Sequence, residues 1–219
     1  MLFNPSAYDI IDLTMSYHVR MDGYAEEQSR TLEDDGWNAK QLHIYSHAGT
    51  HMDAPLHFGV SKVTIDQLPA TNFFTEAWLV DVPIVKDQQL INVSDVSSVS
   101  HQIRPGQSIL MRTGWSKTVG SERYRNKLPR ISTSLAKWCV DKKVNVLGVE
   151  PPSVADVNNL PEVTEVHKIL LGGNVTIVEG LTNLDHIIDP KVLLVALPLK
   201  IKDGDGAPAR VFALQQKRS

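Results

Sequence analysis

Apolar residues along the chain fall in short β-branched runs broken by polar, glycine or proline punctuation. The runs at 8–14 (YDIIDLT), 42–47, 76–84, 107–113, 144–149, 175–178, 192–199 and 210–214 read as strands. Helical spacing is found over 132–142, where Ser132 or Ser134 supplies an N-cap and Leu135, Trp138 and Cys139 share one side. A second helix opens at Pro161-Glu162 and ends at Gly172-Gly173, with proline and glycine at the ends that favour each. A shorter helix is expected over 94–103, capped by Ser94 and stopped by Arg104-Pro105-Gly106. Residues 15–40 are polar, carry Gly23 and Gly36, and read as a long loop or flap. A segment of that length is expected to pack over a site or at a subunit boundary. Strands and helices do not alternate strictly. The expected architecture is therefore α/β: one domain over 1–219, with a strongly curved mixed sheet and a few covering helices.

Composition narrows the function. The chain has 219 residues, enough for one domain with a sizeable core. It carries 22 basic and 25 acidic residues, a net charge of -3, which gives no electrostatic footprint for nucleic acid or an anionic membrane. The longest apolar stretch, 192–199, is interrupted by Pro198 and is far too short to span a bilayer. No basic residue precedes Arg20, so no signal peptide is read and a cytoplasmic location is expected. The single cysteine, Cys139, excludes an internal disulfide and an all-thiolate metal site.

Histidine carries the chemistry. The segment Ser46–Phe58 (SHAGTHMDAPLHF) contains His47, His51, Asp53 and His57. Imidazole nitrogen and carboxylate oxygen are the donors that borderline divalent metals prefer. Gly49, Thr50 and Pro55 argue against a helix here. In a straight strand His47 and His51 would stand roughly 13 Å apart, too far for two bonds of about 2.1 Å to one ion. A shared ion therefore requires a bend, and Gly49 is the residue that can make it. Two distant residues can complete a shell. His167 projects from the apolar face of the helix after Pro161. Glu179 ends an apolar strand, where a carboxylate is costly unless paired. Taken singly, each also reads as an ordinary core residue satisfied by hydrogen bonds.

These residues resemble a family. HAGTHMDAPLHF is similar to the H-x-G-T-H-x-D-x-P-x-H-F signature of the cyclase-like metal-dependent hydrolases, which include kynurenine formamidases and isatin hydrolases. Asp12-Leu13-Thr14, Arg112-Thr113-Gly114-Trp115, Glu179-Gly180-Leu181-Thr182-Asn183-Leu184 and Asp205-Gly206-Ala207-Pro208-Ala209-Arg210 match further blocks in the same order. The resemblance implies a swivelling β/β/α fold, a homodimer or homotetramer, and one or two divalent ions per subunit. It further implies that His47, His51 and Asp53 hold one ion, that Asp53 and His167 serve a second, that Glu179 touches or bridges both, and that His57 is the acid/base. Three features depart from the family pattern: Glu150-Pro151-Pro152-Ser153 stands at its D-x-x-S, Ala48 replaces Thr or Asn, and residues 15–24 hold Tyr17 and Tyr24 but no tryptophan.

Metal, activated water and a histidine near neutral pKa together suit hydrolysis of a small-molecule C–N bond, in a cyclic amide or an N-formyl arylamine. No G-x-S-x-G elbow supports a serine nucleophile. A metal-dependent cyclase or lyase acting on a small carbonyl compound, and a non-catalytic metal-binding relative, are the competing classes. Nitrogen and oxygen ligands without sulfur suit Zn²⁺ and Mn²⁺ alike. Tyr17, Tyr24 and Trp115 are the expected substrate contacts, with Trp37 a further aromatic in the same polar half.

Overall fold

The computed structural model describes residues 4–218. The strands are β1 (Tyr8–Asp12), β2 (Tyr24–Arg30), β3 (Ala39–Ile44), β4 (His51–Asp53), β5 (Phe74–Asp81), β6 (Leu90–Ile91), β7 (Ser108–Arg112), β8 (Arg130–Ile131), β9 (Val146–Val149), β10 (Thr176–Glu179), β11 (Lys191–Pro198) and β12 (Gly206–Gln216). The α-helices are α1 (Leu32–Asp35), α2 (Glu122–Asn126), α3 (Thr133–Asp141) and α4 (Leu160–Gly172).

Eight strands form one sheet in the order β1-β12-β11-β5-β7-β9-β10-β4. The pairs β5–β7, β7–β9 and β9–β10 are parallel, and the remaining pairs are antiparallel. The sheet does not end at β4. His51, Met52 and Asp53 pair on their other side with Pro208, Ala207 and Gly206 of β12, which curls the mixed sheet into a barrel.

Strand alternation sorts the side chains into two cores. Leu110, Val146, Val178, Met52 and Ala207 point into the barrel. Ile109, Met111, Leu147, Val149 and Ile177 point outward and are covered by Leu135, Ala136 and Cys139 of α3 and by Val166, Leu170 and Leu171 of α4. Both long helices have the expected ends. The Ser132 hydroxyl accepts from Leu135 N, and Asn159 caps α4 with Pro161 in its first turn.

Three expectations need correction. Residues 15–40 are not one loop: β2 and β3 pair as an antiparallel hairpin that carries α1. The polar, largely exposed residues of this hairpin lack the alternation by which a half-buried strand is recognised. Over 94–103 only a 3₁₀ turn at Val93–Val96 forms, and Asn92 rather than Ser94 stands at its N-terminus. The last strand begins at Gly206 and runs to Gln216, because pairing with β1, β4 and β11 recruits residues that read locally as a turn.

Chain crossings at the closure are tight. Gly180 adopts φ +68°, and a Cβ there would lie 2.3 Å from the carbonyl oxygen of Gly49. The Thr50 hydroxyl donates to the Gly180 carbonyl at 2.6 Å and accepts from Met15 N at 2.9 Å, joining three segments. Gly180→Ala therefore meets both left-handed strain and overlap. It is expected to lower stability by about 2–5 kcal/mol in urea denaturation, combining the usual penalties of each. A loss below about 1 kcal/mol would mean that the two turns do not approach so closely.

Candidate metal centre

Bending at Gly49 is what gathers the local ligands. Gly49 has φ +60°, inside a turn that runs from Ser46 into β4. The Tyr17 hydroxyl donates to the Ala48 carbonyl at 2.7 Å and braces this turn. Within β4, alternation sends Met52 into the barrel and leaves His51 and Asp53 together on the outer face. Register then places Glu179 of β10 directly opposite His51. Glu179 shares the outer face with Ile177, beneath α4, whose buried side includes His167.

The result is a cage of imidazoles and carboxylates. His51 Nε2 is 3.1 Å from Glu179 Oε2 and 3.7 Å from Asp53 Oδ1. His167 Nε2 is 3.4 Å from Glu179 Oε1 and 3.6 Å from Asp53 Oδ2. His47 Nδ1 is 2.9 Å from Asp53 Oδ1. Three possible ligand groups result: His47–His51–Asp53 and Asp53–His167–Glu179, which share the buried Asp53, and the less buried His47–His57–Asp205. His51, Asp53, His167 and Glu179 are each at most 3% exposed.

The geometry fits a divalent cation. Donors bound tetrahedrally at about 2.1 Å stand about 3.4 Å apart, close to most of these separations. Asp53 Oδ2 is buried and has no hydrogen-bond partner among the described residues, an arrangement that is costly unless a cation satisfies it. His51 Nδ1 lies 2.9 Å from the Gly49 carbonyl and His167 Nδ1 lies 2.7 Å from the Val163 carbonyl. Each Nδ1–H is thereby engaged, and each Nε2 is left facing the carboxylates, free to bind a cation.

The electrostatics agree. Burial alone would lower the pKa of His47, but hydrogen bonds and charges from Asp53 and Asp205 raise it to about 9. His51 and His167 are raised too, because Glu179 and Asp53 outweigh the burial. Burial would raise Glu179, yet hydrogen bonds from His167 and His51 hold it well below the usual carboxylate range. In every case the site favours added positive charge.

His57 differs. Its ring stacks on His47 at a centroid distance of 3.8 Å, its Nδ1 is 3.4 Å from Asp205 Oδ2, and burial lowers its pKa. It belongs to the group with His47 and Asp205 and to neither group that contains Asp53. Phe58 fills the space between His57 and His167, stacking on the latter at 4.3 Å. Cys139 is buried on α3 and burial pushes its thiol up to about 12, which leaves no reactive thiolate near neutral pH.

A cavity of about 600 Å³ opens onto the cage. His47, His51, His57, His167 and Glu179 line it with Phe58 and Tyr124, and Met15, His18 and Arg20–Gly23 of the flap close one side. The three aromatic residues expected at the substrate are not on its wall. The Tyr17 hydroxyl is spent on the turn, Tyr24 donates to Glu26 Oε2 at 2.6 Å, and Trp115 is buried with Nε1 donating to the Tyr124 carbonyl at 2.9 Å. Trp37 is exposed on the hairpin. Tyr124 was hidden in an unpatterned polar stretch. Its hydroxyl donates to the Glu150 carbonyl at 2.9 Å, and burial keeps it protonated. The Glu150 side chain, at the position where the family motif has aspartate, accepts from Thr113 N, Thr113 Oγ1, Trp115 N and Ser116 Oγ and so anchors this wall. Asp205 likewise carries no local signal beyond its place in the D-G-x-P-x-R block.

A closed mixed barrel with a histidine–carboxylate cage at the mouth of a small cavity defines an α/β protein with a divalent-metal centre. The chain belongs to the cyclase family: residues 11–156 match the family model described as Putative cyclase. That match includes the histidine segment and Glu150, and it stops before His167 and Glu179. A kynurenine formamidase of Bacillus cereus is 28% identical over 91% of this chain and 87% of its own length. One from Erythrobacter litoralis is 30% identical, covering 85% and 82%. Isatin hydrolase A from Ralstonia solanacearum shares the fold with a TM-score of 0.85 at 22% identity, over 96% of this chain and 93% of that one.

The raised imidazoles set a pH dependence for the chelated, metal-free protein. A raised histidine pKa contributes stability in full below its unfolded value of 6.5, and that contribution is lost as pH climbs through the folded value. For His47 the window is 6.5 to about 9, and His51 and His167 act in the same direction. Thermal unfolding in chelator should give a Tm that declines across that range. Saturating Zn²⁺ should abolish or reverse the decline, because the ion replaces the protons. A flat profile in chelator would show that the histidines do not gain charge from the cage.

Proposed function

We propose that this chain is a metal-dependent hydrolase of a small-molecule C–N bond, in an N-formyl arylamine or a cyclic amide. The observation that carries the reading is the buried Asp53 oxygen without a donor, inside a cage that opens on a cavity of small-molecule size. The kynurenine formamidase relatives, which align along most of both chains, support the N-formyl arylamine, and the isatin hydrolase fold neighbour is compatible with the cyclic amide. Zn²⁺ and Mn²⁺ both suit the nitrogen and oxygen donors, with one ion at His47–His51–Asp53 and a second at Asp53–His167–Glu179. A homodimer or homotetramer in the cytoplasm completes the proposal, with the flap hairpin as the element available to a neighbouring subunit.

A divalent ion bound here supplies acidity to water and polarisation to a carbonyl. The protein's own groups do the rest. His51, His167 and the two carboxylates hold fixed positions because each is bonded to a backbone group or to its neighbour in the cage. His57, neutral near pH 7 by virtue of its lowered pKa, accepts a proton from the attacking water and returns it to the leaving nitrogen. Phe58 and Tyr124 line the remaining space for a flat apolar substrate.

Aryl formamides and cyclic amides incubated with metal-reconstituted protein in H₂¹⁸O should release formate or ring-opened acid carrying the label. Turnover without ¹⁸O in the product would favour the cyclase or lyase class instead.

His57→Ala should retain metal nearly as well as the parent and lose about 10²- to 10⁴-fold in turnover, the usual contribution of an acid/base group. Metal analysis and rate measurement on one preparation decide this. Joint loss of metal and activity would make His57 a ligand, and full activity would remove it from the reaction.

A further inference from the structure

We propose that Asp205 is a positioning residue that selects Nδ1 as the metal-binding nitrogen of His47 and aligns His57 beside it, an inference that rests on the metal-centre reading above. The two nitrogens of His47 face different carboxylates. Nδ1 lies 2.9 Å from Asp53 Oδ1, inside the ligand group shared with His51. Nε2 lies 2.8 Å from Asp205 Oδ2, outside the cage. A carboxylate that accepts the Nε2 proton leaves the Nδ1 lone pair free for an ion, the carboxylate–histidine–metal arrangement. His51 and His167 do the opposite, since their Nδ1 atoms are engaged by backbone carbonyls. The centre is thus held by two Nε2 ligands and one Nδ1 ligand, and Asp205 makes the difference.

The same Asp205 oxygen is 3.4 Å from His57 Nδ1, and the His47 and His57 rings stack at 3.8 Å with 25° between their planes. One carboxylate oxygen therefore spans a metal ligand and the acid/base. Asp205 is itself held in place. Its carbonyl accepts from Ala54 N at 2.9 Å. The next residue, Gly206, provides the seat for the His47 ring: a Cβ there would lie 2.6 Å from His47 Cε1 and 3.1 Å from Nε2. Asp205 contacts His47 and His57, which line the cavity, without being a lining residue itself, and its role here is through the two histidines.

The full chain labelled with ¹⁵N-histidine and loaded with Zn²⁺ reports the nitrogens directly in long-range ¹H–¹⁵N spectra. The expected pattern is His47 with Nδ1 on zinc and Nε2 protonated, and His51 and His167 with the reverse. In Asp205→Ala, Zn²⁺ affinity measured by chelator competition should fall about 10- to 100-fold. Asp205→Asn keeps one acceptor oxygen and should recover most of that loss. With a hydrolysed formamide, kcat should fall in Asp205→Ala while KM stays near the parent value. His47 bound through Nε2, zinc seated on Asp205 itself, or an unchanged affinity in Asp205→Ala would each overturn the role of Asp205. Should Asp205→Ala not fold, the spectrum of the parent protein still decides. A parent protein that takes up no Zn²⁺ would defeat the metal-centre reading as well, a result distinct from zinc bound through the other nitrogen.

Discussion

Closure of the barrel by three residues is the constraint on which the rest depends. β4 is inserted between β10 and β12, so both of its edges are paired. A three-residue strand has one alternation to offer, and it places Met52 inside the barrel and His51 and Asp53 outside. Fixing the barrel therefore fixes two ligands, and the register on β10 adds Glu179 opposite His51 without further adjustment. A slip of one residue would turn Asp53 and His51 into the apolar interior and expose Met52. The sheet and the metal centre specify each other: the register that buries Met52 also gathers the ligands.

Stability and chemistry meet in the cage. Buried carboxylates beside imidazoles are held there by a compact barrel and by helix α4, which delivers His167 from its apolar face. Without a cation the imidazoles themselves must carry the compensating charge, which is why three of them are pulled toward protonation while His57, outside the cage, is pushed the other way. The split divides the histidines into three that gain from positive charge and one that loses by it. It arises from position alone, since all four groups are the same side chain.

Beyond the cage, the cavity is built from segments that carry no periodic pattern. Glu150 pins residues 113–116, Trp115 pins the carbonyl of Tyr124, and Tyr124 returns its hydroxyl to Glu150. The cavity wall opposite the flap is thus a hydrogen-bonded array of α2 and its flanking turns, not the aromatic residues nearest the histidine loop in sequence. Tyr17 shows the distinction: it is close to the centre, yet it serves the turn that makes the bend at Gly49.

Residue order was enough for whatever depends on near neighbours. His47, His51, Asp53 and His57 lie within one short segment, so their donor chemistry and the need for a bend at Gly49 could be argued from spacing and bond lengths. The Ser132 cap of α3, the proline at the start of α4 and the glycines at its end, and most strands followed from apolar runs and punctuation in the same way. Other features depend on contacts between distant parts of the chain. Asp205 meets His47 across 158 positions, and Glu150 meets the Thr113 hydroxyl across 37. The flap hairpin and the start of β12 form because partner strands are available, although their own residues favour loop and turn. Which nitrogen of His47 faces Asp53, and which aromatic rings reach the cavity, was likewise decided by tertiary structure. A side chain's direction is set by strand register and by the groups that occupy its hydrogen bonds, and neither is encoded in local spacing.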